Sequence, residues 1–377
     1  MEDNDRVYLD LIEWMRRSWG HLPDSEELLP MIKAGYTPEE AELLTGMPFV
    51  ESSIEELAEL KQMDPEELEP VLEGLARKGL FLRLQRGSAF TYRLVDARFV
   101  FLRSFWWSGR DDEQTRTVAP HVNRYYRDGL GDNWKGLHTK GLRALPIRQT
   151  IQDPREILPY EDVIEVLDNE DLFAVATCAC RHRKGLDPDQ PRCNHETENC
   201  LHFGRYARYI IDNDLGREIT REDAKTILER SAEAGLIHSV SNWQNEVDTI
   251  CNCCQCCCLY LEAFHVLKHA KPMNHSNYEA QTNPATCSGC GLCVKRCPMD
   301  ALSLEQSEQA RNKTGKVAVL EPGICIGCGV CAYKCPTESL TLKRRERLDH
   351  PPVDIADQRK RFLAEREALR AGKQTSA

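Results

Sequence analysis

Eight cysteines toward the C-terminal end of the sequence fall into two runs with one spacing. Cys287, Cys290, Cys293 and Cys297 read C-x2-C-x2-C-x3-C and lead into Pro298, and Cys325, Cys328, Cys331 and Cys335 repeat the pattern and lead into Pro336. Thiolates are soft ligands that suit iron–sulfur clusters and zinc. Three of them two residues apart fit a tight loop around one face of a metal centre, and a fourth that starts the next segment points elsewhere. Zinc ribbons account for this less well, because they pair two separated C-x2-C knuckles and use no third cysteine in the same loop. Gly289 and Gly291 in the first loop match Gly327 and Gly329 in the second, as a loop curling closely around a cluster requires.

The spacing, its repeat and the two prolines resemble the bacterial-type two-cluster 4Fe-4S ferredoxin domain, over roughly residues 275–345. The resemblance implies an α+β fold with pseudo-two-fold symmetry, one-electron transfer and crossed ligation, the fourth cysteine of each run serving the other cluster. One 4Fe-4S cluster is then expected on Cys287, Cys290, Cys293 and Cys335, and the second on Cys325, Cys328, Cys331 and Cys297. Met299–Leu302 and Thr337–Leu340 are matched segments, each expected to make one turn and enter a short strand. Thr314-Gly315 predicts a hairpin turn with Val317–Leu320 returning.

The remaining ten of the 18 cysteines form two groups in the middle of the chain. The apolar run Phe173–Thr177 predicts a strand that delivers Cys178 and Cys180, which would share a face in extended backbone; Cys193 and Cys200 follow. The loop 181–199 is read as polar, with His182, His195 and His202 at solvent. Farther on, Cys251, Cys253, Cys254, Cys256, Cys257 and Cys258 crowd into eight residues before a helix carrying Leu259, Leu261, Phe264 and Leu267. If Cys254 lies in that helix it shares a face with Cys257 and Cys258. Together the two elements resemble a group of larger ferredoxin-domain proteins of anaerobes, a resemblance that supplies no ligand map. One or two further iron–sulfur clusters are expected here, in preference to zinc, on Cys178, Cys180, Cys193, Cys200, Cys251, Cys253, Cys254 and Cys257.

These elements need a scaffold, and the 377 residues have room for several domains. The expected architecture is multidomain α+β: an acidic helical segment (1–45), a winged-helix-like domain (46–110), a Cys-rich α/β middle domain (111–270), the ferredoxin-like two-cluster domain (271–345) and a charged helical tail (346–377). In the second of these, Ser53 and Asp64-Pro65 begin two helices, Gly79 ends the latter, and Phe81–Leu84 and Phe90–Val95 form a wing around Gly87-Ser88. The aromatic stretch Phe105-Trp106-Trp107 and Tyr125-Tyr126 reads as packing. Thr220 starts a helix that stops at Gly235. The tail after Pro352 reads as a solvated helix.

Charge is unevenly spread. The first 60 residues carry 15 acidic and 4 basic side chains, and the rest of the chain is balanced. On the helix at the recognition position, Glu66, Glu67, Glu69 and Glu73 stand against Arg77 and Lys78, which disfavours DNA despite Arg83, Arg86 and Arg93 on the wing. No leader of positive and apolar residues opens the sequence and no run is long enough to span a bilayer, so a reducing cytoplasm, that of an anaerobic microbe, is expected. No nucleotide-binding glycine motif appears. The sequence therefore reads as an electron carrier, or the electron-transfer subunit of an anaerobic oxidoreductase, serving a flavoprotein or metalloenzyme partner. Its alternatives are a redox-sensing winged-helix regulator and an enzyme with an unusual middle cluster. Lys295, Arg296 and Lys334, just before the fourth cysteines, are read as surface charges that can also tune a cluster or meet an acidic partner.

Overall fold

Short polar side chains fix where most of the N-terminal helices begin. In the computed structural model, which describes residues 5–374 except 19, 21 and 246, α1 (Asp5–Met15) buries Tyr8, Leu11, Ile12 and Met15 and leaves Leu9 exposed. The acidic opening at residues 1–4 and the last three residues of the tail lie outside the described residues. After α2 (Leu28–Gly35), Thr37 and Glu40 close a capping box on α3 (Pro38–Leu44), and Ser53 and Glu56 do the same for α4 (Ile54–Lys61). Asp64 caps α5 (Pro65–Arg77) and Pro65 occupies its first turn. A hairpin of β1 (Leu82–Arg86) and β2 (Ala89–Arg93) follows. Arg86 Nε lies 3.0 Å from Glu51 and Tyr92 donates to Glu69 at 2.6 Å, so part of the charge of this region is spent internally.

Asp96 caps α6 (Ala97–Leu102), and Asp112 with Thr115 caps α7 (Glu113–Tyr125). Between them Phe105, Trp106 and Trp107 are buried, with the first two rings edge to face at 4.8 Å. The chain then makes β3 (Leu142–Ala144) and α8 (Val163–Asp168). Next come β4 (Phe173–Thr177), α9 (Ala179–Leu186), β5 (Glu198–Phe203), α10 (Gly204–Asp212) and β6 (Gly216–Ile219).

The chain divides into two compact units, Met1–Asn133 with Leu172–Ile219, and Trp134–Asp171 with Thr220–Ala377. The span 111–270 contributes to both. In the first unit β4 lies between β5 and β6, antiparallel to each. The second unit continues with α11 (Arg221–Glu233), capped by Thr220, and β7 (Ile237–Ser241), which pairs antiparallel with both β3 and β8 (Thr249–Cys253). Then follow α12 (Leu259–His265), β9 (Tyr278–Thr282), α13 (Leu292–Arg296), β10 (Leu302–Gln306), β11 (Lys316–Leu320), α14 (Val330–Tyr333), β12 (Leu340–Arg344) and α15 (Ile355–Gln374). Mixed α+β structure thus runs through the whole chain.

The last part of the second unit repeats itself. Strand β10 follows the first cysteine run and pairs with β11, which precedes the second run; β12 follows the second run and pairs with β9, which precedes the first. After each proline the backbone makes a tight turn, with Asp300 and Glu338 at matching left-handed positions, φ 54° and 51°. The Thr314-Gly315 turn returns the chain into β11, one residue before Val317. Helix α15 exposes most of its residues and is anchored by a few. Phe362 is buried, and the Glu365 carboxylate accepts from the His138 amide at 2.8 Å, the Thr139 amide at 2.9 Å and the Thr139 hydroxyl at 2.6 Å.

Candidate metal centres

Two small cysteine-lined cavities lie in the second unit. The first is lined by Cys287, Cys290 and Cys293 together with Cys335; the second by Cys325, Cys328 and Cys331 together with Cys297. Helices α13 and α14 carry the third cysteine of each run, and the turn that begins at the proline aims the fourth away. Each loop is held by its backbone carbonyls: Asn312 Nδ2 donates to Cys287 O at 2.7 Å, Arg345 Nη2 to Cys325 O at 2.8 Å, and the Ile147 amide to Cys328 O at 3.1 Å.

Glycine is required at the second residue after the first cysteine of each run. Gly289 and Gly327 have φ of 66° and 70°. A Cβ on Gly289 would come within 2.4 Å of Thr314 Oγ1, and one on Gly327 within 2.2 Å of Ser276 Oγ and of Tyr278 O. The loops are therefore pressed against the strands behind them, with their sulfurs turned to the cavity.

The electrostatics suit a cationic occupant. Burial pushes the Cys293 thiol up to about 11 and raises Cys297, Cys328 and Cys331 as well. Cys290, exposed, is lowered by the backbone N–H of Leu292 and then by Ser288. At Cys335 burial acts upward, but hydrogen bonds from Ser339, Leu340 and Thr337 outweigh it. The Ala301 amide donates to Cys297 Sγ at 3.3 Å. The buried thiols Cys297, Cys328 and Cys331 hold their protons unless a metal takes the protons' place. Preformed N–H and O–H donors then meet the sulfur charge, so the residues present fit a 4Fe-4S cluster.

The basic residues beside the fourth cysteines have structural partners. Arg296 donates to Ala232 O at 3.1 Å and Val330 O at 3.3 Å. Lys334 pairs with Glu233, which also accepts from the Tyr333 hydroxyl at 3.2 Å. Both side chains tie the cysteine loops to the C-terminal end of α11, where positive charge is favoured.

The crowded run 251–258 is also in the second unit, and its backbone departs from expectation. Pairing with β7 keeps the chain extended through Cys253, opposite Ile237. A turn occupies 255–257, Cys258 stands just before α12, and the helix starts only at Leu259 and ends at His265, so Leu267 lies beyond it. Cys254 is therefore not helical, and the three-and-four spacing to Cys257 and Cys258 does not apply. Cys251 and Cys253 share a face of β8. The Cys253 thiol is within hydrogen-bonding reach of Cys251 and Cys258, which with burial raises it. The sulfurs of Cys254, Cys256 and Cys257 all lie within 4.8 Å of one another, a candidate metal-binding group. Hydrogen bonding with Cys254 and Cys256, and then burial, pushes Cys257 far up. Cys256 and Cys258 were not among the expected ligands. Their signal was the density of the run, which periodicity could not divide.

In the first unit, β4 ends at Thr177, Cys178 caps α9 and Cys180 is in its first turn. The extended backbone that would align Cys178 with Cys180 is absent at these residues, because α9 starts at Ala179. Cys193 lies in the following loop, and Cys200, on β5, stands across from Ala176. Arg181 and Arg183, expected in a polar loop, are buried on α9. His202, expected at solvent, is buried too: its Nε2 is 3.2 Å from Cys200 Sγ and its ring packs edge to face on Trp107 at 4.6 Å. His182 is half-buried, with Nε2 2.7 Å from Arg110 O, and His195 is half-buried in the loop. Among the described residues, no cysteine forms a disulfide.

Residues 286–339 match the family model of the 4Fe-4S dicluster domain. A search of curated proteins finds no match to the chain. The matched residues contain both cysteine runs and line both cavities, so an iron–sulfur type of domain is present in the second unit. Among the described residues, no helix is long and apolar enough to cross a membrane.

Proposed function

We propose that this chain transfers single electrons in the cytoplasm through two 4Fe-4S clusters, as a carrier or as the electron-transfer subunit of an anaerobic oxidoreductase. The ligand sets are Cys287, Cys290, Cys293 and Cys335 for one cluster and Cys325, Cys328, Cys331 and Cys297 for the other. One observation carries this reading: each cavity is lined by three cysteines of one run and the last cysteine of the other. When bound, such a cluster takes up and gives back one electron.

The protein's own residues hold the thiolates, exclude water and direct donors at sulfur. Exposed Cys290 and Leu292 bring the first cavity near the surface, the side from which a flavoprotein or metalloenzyme partner would exchange electrons. Buried Cys328 and Cys331 make the second an internal relay. Further iron–sulfur ligation is proposed for the middle cysteines Cys178, Cys180, Cys193, Cys200, Cys251 and Cys253. The winged-helix-like region 46–110 is assigned to docking rather than to nucleic acid, since exposed Glu66 and Glu67 on α5 would repel phosphate.

The test is anaerobic purification with iron and acid-labile sulfide analysis, followed by EPR-monitored redox titration. Two one-electron 4Fe-4S signals are expected. A chain with zinc and no sulfide would sink the reading.

A further inference from the structure

The eight thiols of the two matched runs surround open cavities, whereas Cys254, Cys256 and Cys257 are drawn together on one turn, every sulfur within 4.8 Å of the others and Cys256 Sγ 3.7 Å from Cys257 Sγ. That difference in spacing has a chemical meaning. Thiolates around a single tetrahedral ion at about 2.3 Å have sulfurs about 3.8 Å apart. Thiolates on a cube bind separate iron atoms and stand farther from each other. The observed contact fits the single ion.

The backbone supports the same arrangement. Strand β8 ends at Cys253, and the Cys258 amide donates to Cys254 O at 3.1 Å, which closes the turn around the three thiols. Cys254 and Cys257 are buried while Cys256 is exposed, so an ion can enter from the outer side and be held from within. Three sulfurs this close repel one another once ionised, and a divalent cation among them removes that repulsion.

We infer that Cys254, Cys256 and Cys257 form three ligands of a centre for one tetrahedrally bound divalent ion, zinc or iron, separate from the electron-transfer clusters. This moves Cys254 and Cys257 out of the iron–sulfur ligation expected of them. The inference rests on the electron-transfer reading only in that the ion is counted beside its clusters.

The test uses the full chain, purified anaerobically, as wild type and as Cys256→Ser, the exposed and therefore mildest substitution. The expected result is loss of one metal equivalent per chain, with acid-labile sulfide and the EPR signals of the two clusters unchanged. Loss of one zinc identifies zinc, and loss of one iron without sulfide identifies iron. Loss of several irons together with sulfide, or no loss of metal, overturns the inference. Should the variant aggregate, wild type produced in cobalt-supplemented medium decides: thiolate-to-cobalt charge-transfer bands are expected, and their absence overturns it. Failure of the electron-transfer reading is distinguishable, because wild type itself would then lack the cluster signals.

Discussion

His265 Nε2 lies 2.9 Å from the carbonyl oxygen of Pro298, the residue that follows Cys297. A carbonyl only accepts, so Nε2 must carry the proton. Gln255 Nε2 lies 3.2 Å from the same nitrogen. One imidazole thereby joins the turn of the crowded cysteine run to the turn that aims Cys297 into the second cavity.

Replacing His265 with alanine should lower stability by about 1 kcal/mol, the usual worth of such a bond. It should also alter the EPR line shape of the cluster proposed on Cys297 and leave the other unchanged. Glutamine, which restores an N–H donor, should recover part of the loss. Unfolding curves and EPR of the three proteins would check this, and equal perturbation of both clusters would count against it.

The proposed crossed ligation gives a reciprocal pair. Cys297→Ser should perturb the same cluster as Cys328→Ser, and Cys335→Ser the same cluster as Cys290→Ser, because a changed ligand shifts the reduction potential. Redox titration of the four variants sorts them into two pairs. Pairing of Cys297→Ser with Cys290→Ser would mean that each run ligates locally.

Gly327→Ala should be far more damaging than a surface Gly→Ala change. The new methyl meets Ser276 Oγ and Tyr278 O at 2.2 Å on a backbone with φ of 70°, and a loss above about 2 kcal/mol is expected. Thermal melting, with iron content measured alongside, tests it. Gly87→Ala, at a hairpin where nothing lies within 4 Å of the added carbon, is the control for the left-handed conformation alone.

Lys140 supplies a pH signature. Burial pushes its ammonium down to about 8, against a weaker opposing effect of Glu365. The folded state thus disfavours the charged form, and the penalty is fully present below pH 8. It is relieved as pH rises from about 8 toward the unfolded value near 10.5, so stability should climb across that window. Lys140→Met should flatten the climb and stabilise the protein at pH 7 by on the order of 1–2 kcal/mol, even though Nζ loses its bond to Trp134 O at 2.7 Å. Denaturant unfolding at pH 7 and 9.5 gives both numbers.

What the sequence revealed was mostly what short segments decide by themselves. Ser53, Asp64 and Thr220 announce helix starts because a cap needs only its own next turn. The spacing of the two cysteine runs likewise names a type of centre without any long-range contact. Two readings failed where a tertiary contact decides. Cys254 leaves the helix because β8 is held extended by β7, and His202 is buried because Trp107 covers it. Trp107 is remote in the sequence, and the pairing of β8 with the preceding strand is not announced by the cysteine spacing.

The mixed lining of the two cavities also dictates an order of events during synthesis. Under the proposed ligation, a growing chain that has exposed Cys287, Cys290, Cys293 and Cys297 owns neither complete ligand set. The second cavity gains its last thiol when Cys331 emerges, and the first only with Cys335. Iron delivered to the nascent first run would have to wait on three thiols, so a ribosome paused between the two runs would hold a chain whose metal is open to oxygen.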